Sequence, residues 1–158
     1  MPSKTLSVDP GLGGTGLACW IDGELIRTEV IIAHNRKADF TDRAESIAQQ
    51  VRVIAVNHGA ESIACEYPEY FANSASGEMV ARRGDLLKLT FLVGVIAGRC
   101  APVDFVAVPV GVWKGQVSKD TIERRIRRRL GDSLCRSMGI RTHAWDAVGV
   151  GLYMQGRL

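Results

Sequence analysis

Two turn signals, set close together near the start of the chain, commit it to opening as an antiparallel sheet. Thr5 to Asp9 reads as a short strand that breaks at Pro10-Gly11, because proline lacks the amide a strand ladder needs. Gly13, Gly14 and Gly16 make a tight turn into a second strand, Leu17 to Ile21. Asp22-Gly23 then supplies the residue types that tolerate positive φ in a two-residue hairpin, so Glu24 to Ile32 follows as a third strand.

After this meander the apolar period changes. From about Asp39 to Asn57, Ala44, Ile47, Ala48, Val51, Ile54 and Ala55 recur at helical spacing, with Thr41 or Asp39 as cap and His58-Gly59 as close. Ser62 to Glu66 is a mostly apolar fourth strand, as expected of a central one. Tyr67 to Gly77 reads as a loop of aromatic and small residues, followed by a long helix from roughly Gly77 to Gly98. Val103 to Val108 is a fifth strand ended by Pro109, and Val110 to Lys119 is a loop. Asp120 to Leu130 is a short, very basic helix, and Thr142 caps a last helix from His143 to about Gln155. The order predicts an α/β fold spanning 1–158 as one domain. Its mixed five-stranded sheet has three antiparallel strands, then two parallel ones, flanked by helices on both faces.

Charge is unevenly placed along this scaffold. The chain carries net +3, yet Lys114 to Arg141 holds nine Lys or Arg against only Asp120, Glu123 and Asp132. A concentrated basic segment on an otherwise acidic body points to a polyanionic partner. Cys19, Cys65, Cys100 and Cys135 lack CxxC or zinc-finger spacing and read as reduced core thiols of a cytosolic protein. Met-Pro-Ser-Lys leads straight into a strand, so no signal peptide is expected. The longest apolar run, Leu86 to Gly98, is interrupted by Lys88 and is too short to span a bilayer, so no membrane partner is expected.

Four residues at element ends carry the chemistry: Asp9, Glu66, His143 and Asp146. Asp9 ends the first strand and Glu66 the fourth, so the two approach each other if those strands are neighbours. His143 and Asp146 are spaced i, i+3 and share one face of the final helix, in its first turn, where the helix dipole offsets crowded negative charge. Taken singly, Asp9 is also a good turn former before Pro-Gly, His143 a helix cap and Asp146 a helix N-terminal charge. Together they form a donor set for Mg²⁺ or Mn²⁺, one or two ions, with two at ~3.5–4 Å separation suiting an in-line displacement at a phosphodiester.

Leu6-Ser7-Val8-Asp9-Pro10-Gly11 followed by Thr15-Gly16 resembles the first-strand motif of RuvC-type Holliday junction resolvases. Ala64-Cys65-Glu66 resembles that family's second acidic strand. Thr142-His143-Ala144-Trp145-Asp146-Ala147, running into Gly149-Val150-Gly151-Leu152, is similar to its last-helix motif, and the match runs in order over essentially the whole chain. The resemblance implies an RNase H-like fold, a homodimer, and metal-dependent paired nicking of four-way DNA junctions. It implies Asp9, Glu66, His143 and Asp146 as metal ligands and catalytic centre. Many members carry an acid at the position of His143; an imidazole there can ligate metal or move a proton, and both roles stay open.

Tyr67, Tyr70 and Phe71 follow Glu66 in a loop with Asn73, Ser74 and Ser76. Aromatics beside such a site can stack on or wedge between bases, and by the resemblance this loop enters the junction centre, with Tyr70 or Phe71 as probe. Tyr67 is the one expected to pack onto the core. Lys114 and Lys119 sit in the loop after the fifth strand, where ammonium groups neutralise phosphates. On the basic helix, Ile122, Ile126 and Leu130 form the buried stripe, and Arg124, Arg125 and Arg128 fan over the exposed side for phosphate contact. Three other readings are weighed against a junction resolvase. One is a less selective branched-DNA nuclease; another is a non-catalytic DNA-binding protein on the same scaffold. The third is an actin-like ATPase, which one domain without a second phosphate hairpin disfavours. A short form without a helicase-binding extension suits a phage or compact bacterial enzyme working in the cytoplasm.

Overall fold

A computed structural model of the protein describes residues 3–69 and 84–158. Tyr70 and Phe71, and the expected helix start near Gly77, lie outside the described residues. Strands β1 (Lys4–Asp9), β2 (Thr15–Ile21) and β3 (Glu24–Ile31) form the expected meander, and β4 (Ser62–Tyr67) and β5 (Asp104–Pro109) extend it. The sheet order is β3-β2-β1-β4-β5. The β1–β2 and β2–β3 pairs are antiparallel, whereas β1–β4 and β4–β5 are parallel. The hairpin closes through Asp22 at φ 50 and Gly23 at φ 81, as its dipeptide requires.

Six helices occur among the described residues: α1 (Phe40–His58), α2 (Asp85–Cys100), α3 (Val110–Trp113), α4 (Lys119–Leu130), α5 (Asp132–Ser137) and α6 (His143–Met154). Side chains alternate across a strand, which sorts the core into two clusters. Leu6, Val8, Leu17, Cys19, Ile63 and Cys65 face α1 and α2, together with Ala44, Ile47, Val51, Leu92 and Ile96. Ala18, Trp20, Ala64 and Val108 face the other way and pack with Trp113, Ile122, Ile126, Ala147, Val148 and Leu152 of α3, α4 and α6. All four cysteines are buried and unpaired, as core thiols. Tyr67 packs against the first cluster. Among the described residues no helix is long and apolar enough to cross a membrane.

Three local expectations are corrected. Val110 to Trp113 is a helical turn where a loop was expected, and Asp132–Ser137 is a further helix with no counterpart in the apolar pattern. Both are too short for a 3.6-residue period to show. Thr142 precedes α6 but makes no side-chain cap; its backbone takes φ 34 and ψ −113 instead.

Helix α6 lies against the sheet because glycines let it. A Cβ on Gly16 of β2 would stand 2.1 Å from the His143 carbonyl oxygen. A Cβ on Gly151 would stand 2.4 Å from carbons of the Trp20 indole. That indole is fully buried and donates to Ser7 Oγ at 2.8 Å. These contacts seat the helix that carries His143 and Asp146. Gly151→Ala should therefore cost about 1–3 kcal/mol through overpacking. Gly98→Ala, where added bulk meets nothing within 4 Å, should gain about 0.5–1 kcal/mol from helix propensity. Urea unfolding midpoints check both; equal effects would contradict the seating of α6.

Candidate active site

Strand parity decides where the acids point. Asp9 shares the face of Ser7, and Glu66 the face of Ala64, which is the side α6 covers. The parallel register sets Val8 beside Cys65, so Asp9 and Glu66 come next along two adjacent strands. Asp9 then leaves the sheet at Pro10-Gly11, and this turn is held by Thr15. The Thr15 hydroxyl accepts from the Gly11 amide at 3.1 Å and donates to the Gly11 carbonyl at 3.0 Å.

All four candidates reach this rim. Asp9 and Asp146 are buried, Glu66 is partly buried, and the His143 side chain is 39% exposed. His143 Nδ1 lies 2.9 Å from Asp9 Oδ2, with the ring set beside Gly11 and Gly14. Asp146 Oδ1 accepts from Lys114 Nζ at 2.8 Å, and Lys119 Nζ stands 3.5 Å from Asp146 Oδ2. Glu66 Oε2 accepts from the Trp113 indole at 3.0 Å. Among the described residues no three His, Cys, Asp or Glu side chains stand together in ion-holding geometry. The site is organised instead as an Asp9–His143 pair, an Asp146–lysine cluster and a Glu66–Trp113 pair.

Electrostatics report the same crowding. Burial pushes the Glu66 carboxyl up to about 8, reinforced by the charges of Asp9 and Asp146 and opposed by Lys114. Asp9 is also raised, by burial and by Asp146, against the hydrogen bond from His143. His143 is raised mainly by its bond to Asp9, which favours the imidazolium. Hard oxygen donors with excess negative charge at one rim fit a divalent cation, and an imidazole is a compatible fourth donor. By donor chemistry the residues that would hold it are Asp9, Glu66, His143 and Asp146.

Two of the contributors escape sequence reasoning. Trp113 follows from no motif, and its tie to Glu66 appears only once α3 folds over β4. Glu69 accepts from the Gly111 amide at 2.6 Å and so ties the strand's exit to α3. On α4, Arg124, Arg125 and Arg128 are exposed as expected. Arg127 is engaged internally: it bonds Glu123 at 2.7 Å, reaches Asp132 at 3.4 Å, and lies 4.8 Å over Trp145.

A five-stranded mixed sheet of this order, with acids from β1, β4 and the last helix at one rim, defines an RNase H-like fold. The chain is similar to the Thermus thermophilus RuvC structure, with TM-score 0.66 and 18% identity, covering 98% of this chain and 97% of that one. It is similar also to T. thermophilus RuvC in complex with Holliday junction substrate, with TM-score 0.70 and 18% identity, covering 98% and 96%. No family model and no curated protein matches the sequence. The shared architecture is thus that of RuvC, and the motif resemblance holds at the level of the fold.

The raised Glu66 generates a pH prediction for protein kept in EDTA. The unfolded chain releases this proton near 4.5 and the folded one only near 8, so stability falls as pH climbs between the two. Glu66→Gln removes that loss. The variant should be more stable than wild type at pH 8.5, and the advantage should fade toward pH 4. A stability difference independent of pH would contradict the shift.

Proposed function

We propose that the protein is a metal-dependent, structure-selective DNA endonuclease that resolves four-way junctions by paired nicks. The observation that supports it best is the gathering of Asp9, Glu66, His143 and Asp146 at one rim of a RuvC fold, with Lys114 and Lys119 beside them. A related fold was solved with a Holliday junction as substrate, which favours branched DNA as the ligand class. Mg²⁺ or Mn²⁺, as two ions, would supply activation of the attacking water and charge stabilisation at the leaving oxygen.

The chain's own residues have definable tasks. Asp9 holds the His143 ring by Nδ1, so that in the neutral imidazole Nε2 is the nitrogen left for an ion or for a proton from water. Water adds to phosphorus, the bond from phosphorus to the leaving oxygen breaks, and that oxygen takes up a proton. Lys114 and Lys119 bring positive charge to the phosphate as this charge redistributes. Arg124, Arg125 and Arg128 extend the positive surface away from the rim along α4, where they contact backbone phosphates without reading sequence. By the motif resemblance, Tyr70 or Phe71 would be the probe that enters the junction centre.

Paired nicks require two sites, hence a homodimer. Leu87 and Phe91 lie one turn apart on α2 and are 75% and 43% exposed, an apolar face suited to a second copy. The setting is the cytoplasm of a bacterial or phage-infected cell. The alternative of a less selective branched-DNA nuclease uses the same site and differs only in substrate discrimination.

Labelled four-way junction, linear duplex and single strand are incubated with Mg²⁺, Mn²⁺ or EDTA. Symmetric junction nicking that needs the ion, and that Asp9→Asn abolishes while binding persists, is the expected result. In the same assay the Arg125→Ala, Arg128→Ala double variant should bind all sequences more weakly, with a salt slope shallower by about 0.9 for each phosphate no longer neutralised. Cutting linear duplex as fast as the junction would refute the resolvase reading, and cutting nothing would refute the nuclease.

A further inference from the structure

One buried side chain is built against the rim without any task in the chemistry above. Trp113 ends α3, is 5% exposed, and donates its indole N–H to Glu66 Oε2 at 3.0 Å. The far edge of its ring rests on α6, where a Cβ on Gly149 would stand 2.5 Å from Cζ3 and 3.1 Å from Cη2. Gly149 follows Asp146 by three residues, so it lies one turn along the same helix. A single rigid side chain therefore spans from the strand bearing Glu66 to the helix bearing Asp146. A second buried tryptophan shows what a purely structural indole does here. Trp20 also meets a glycine of α6, yet gives its N–H to the neutral hydroxyl of Ser7. Trp113 gives its own to an ionisable carboxylate at the site.

We propose that Trp113 is a positioning residue: its N–H holds the Glu66 carboxylate in one orientation, and its ring, seated on Gly149, sets the distance of that carboxylate from Asp146. This rests on the proposed reading of Glu66 and Asp146 as ion ligands. An indole donor takes one carboxylate oxygen in a fixed direction and removes the freedom of a flexible glutamate to swing away. Trp113 itself touches neither ion nor DNA.

The test compares wild type, Trp113→Phe, and full-length protein carrying β-(3-benzothienyl)alanine at position 113, which keeps the fused-ring shape but has sulfur where the N–H was. Mn²⁺ affinity is measured by electron paramagnetic resonance titration without DNA. Junction Kd in EDTA, single-turnover cleavage against Mn²⁺ concentration, and thermal midpoint are measured alongside. Both replacements should weaken Mn²⁺ binding by about tenfold, the lower end for loss of a partner that orients a ligand. Excess Mn²⁺ should recover most of the cleavage rate, and junction Kd should stay within about twofold, as expected for a loss confined to ion affinity. The benzothienyl protein should melt with wild type. Unchanged Mn²⁺ affinity in that protein would overturn the positioning role, whatever the phenylalanine variant does. Wild type that binds Mn²⁺ but cuts no junction would overturn the functional reading alone, and wild type that binds no Mn²⁺ would overturn both.

Discussion

Like charge gathered at a poorly hydrated rim is the constraint the rest of this structure accommodates. Asp9 and Asp146 are almost fully buried, and Glu66 is held so unfavourably as an anion that its carboxyl titrates near 8. Side chains in such company are stable only with compensating partners. The imidazole of His143 serves Asp9, the ammonium groups of Lys114 and Lys119 serve Asp146, and an indole serves Glu66. These partners come from two parts of the chain, the 113–119 segment and the start of α6, while the acids they serve sit on β1, β4 and α6. The electrostatic problem at the rim therefore demands that β1, β4, α3 and α6 keep fixed relative positions.

Packing meets that demand through close approach. Glycines at 16, 149 and 151 bring α6 onto β2, Trp113 and Trp20 at distances a Cβ would forbid. The same closeness explains the backbone of Thr142. With the His143 carbonyl pressed against Gly16, the chain enters α6 through a rarely populated φ of 34 and leaves the threonine side chain out of the cap. Local preference gives way where the helix has to start at one place beside Asp9. On the opposite face α1 and α2 cover the sheet with aliphatic residues and buried cysteines, and among the described residues no glycine there is approached so closely.

Much of this was readable from the residues. The Asp22-Gly23 hairpin, the proline after Asp9 and the apolar β4 set the strand order, since each acts locally and a two-residue period shows within six residues. Asp9, Glu66, His143 and Asp146 could be picked out because each falls at the end of an element. What could not be read is who partners whom. In the sequence Lys114 suits a phosphate and a carboxylate equally, and only once α3 folds as a helical turn does its ammonium reach Asp146. Arg127 looks like its neighbours in sequence, yet Glu123, Asp132 and Trp145 engage it while Arg125 and Arg128 stay exposed. Side-chain pairing across elements has no period, so no pattern along the chain announces it.

The central claim is that the carboxylates at this rim form a divalent cation site, with Lys114 standing where positive charge is wanted. Crystals soaked in Mn²⁺ and measured at the manganese absorption edge address it directly. Anomalous density bounded by Asp9, Glu66 and Asp146 is expected, with the Lys114 ammonium moved off Asp146. Saturating Mn²⁺ with no anomalous peak at the rim, and Lys114 still bonded to Asp146, would contradict it.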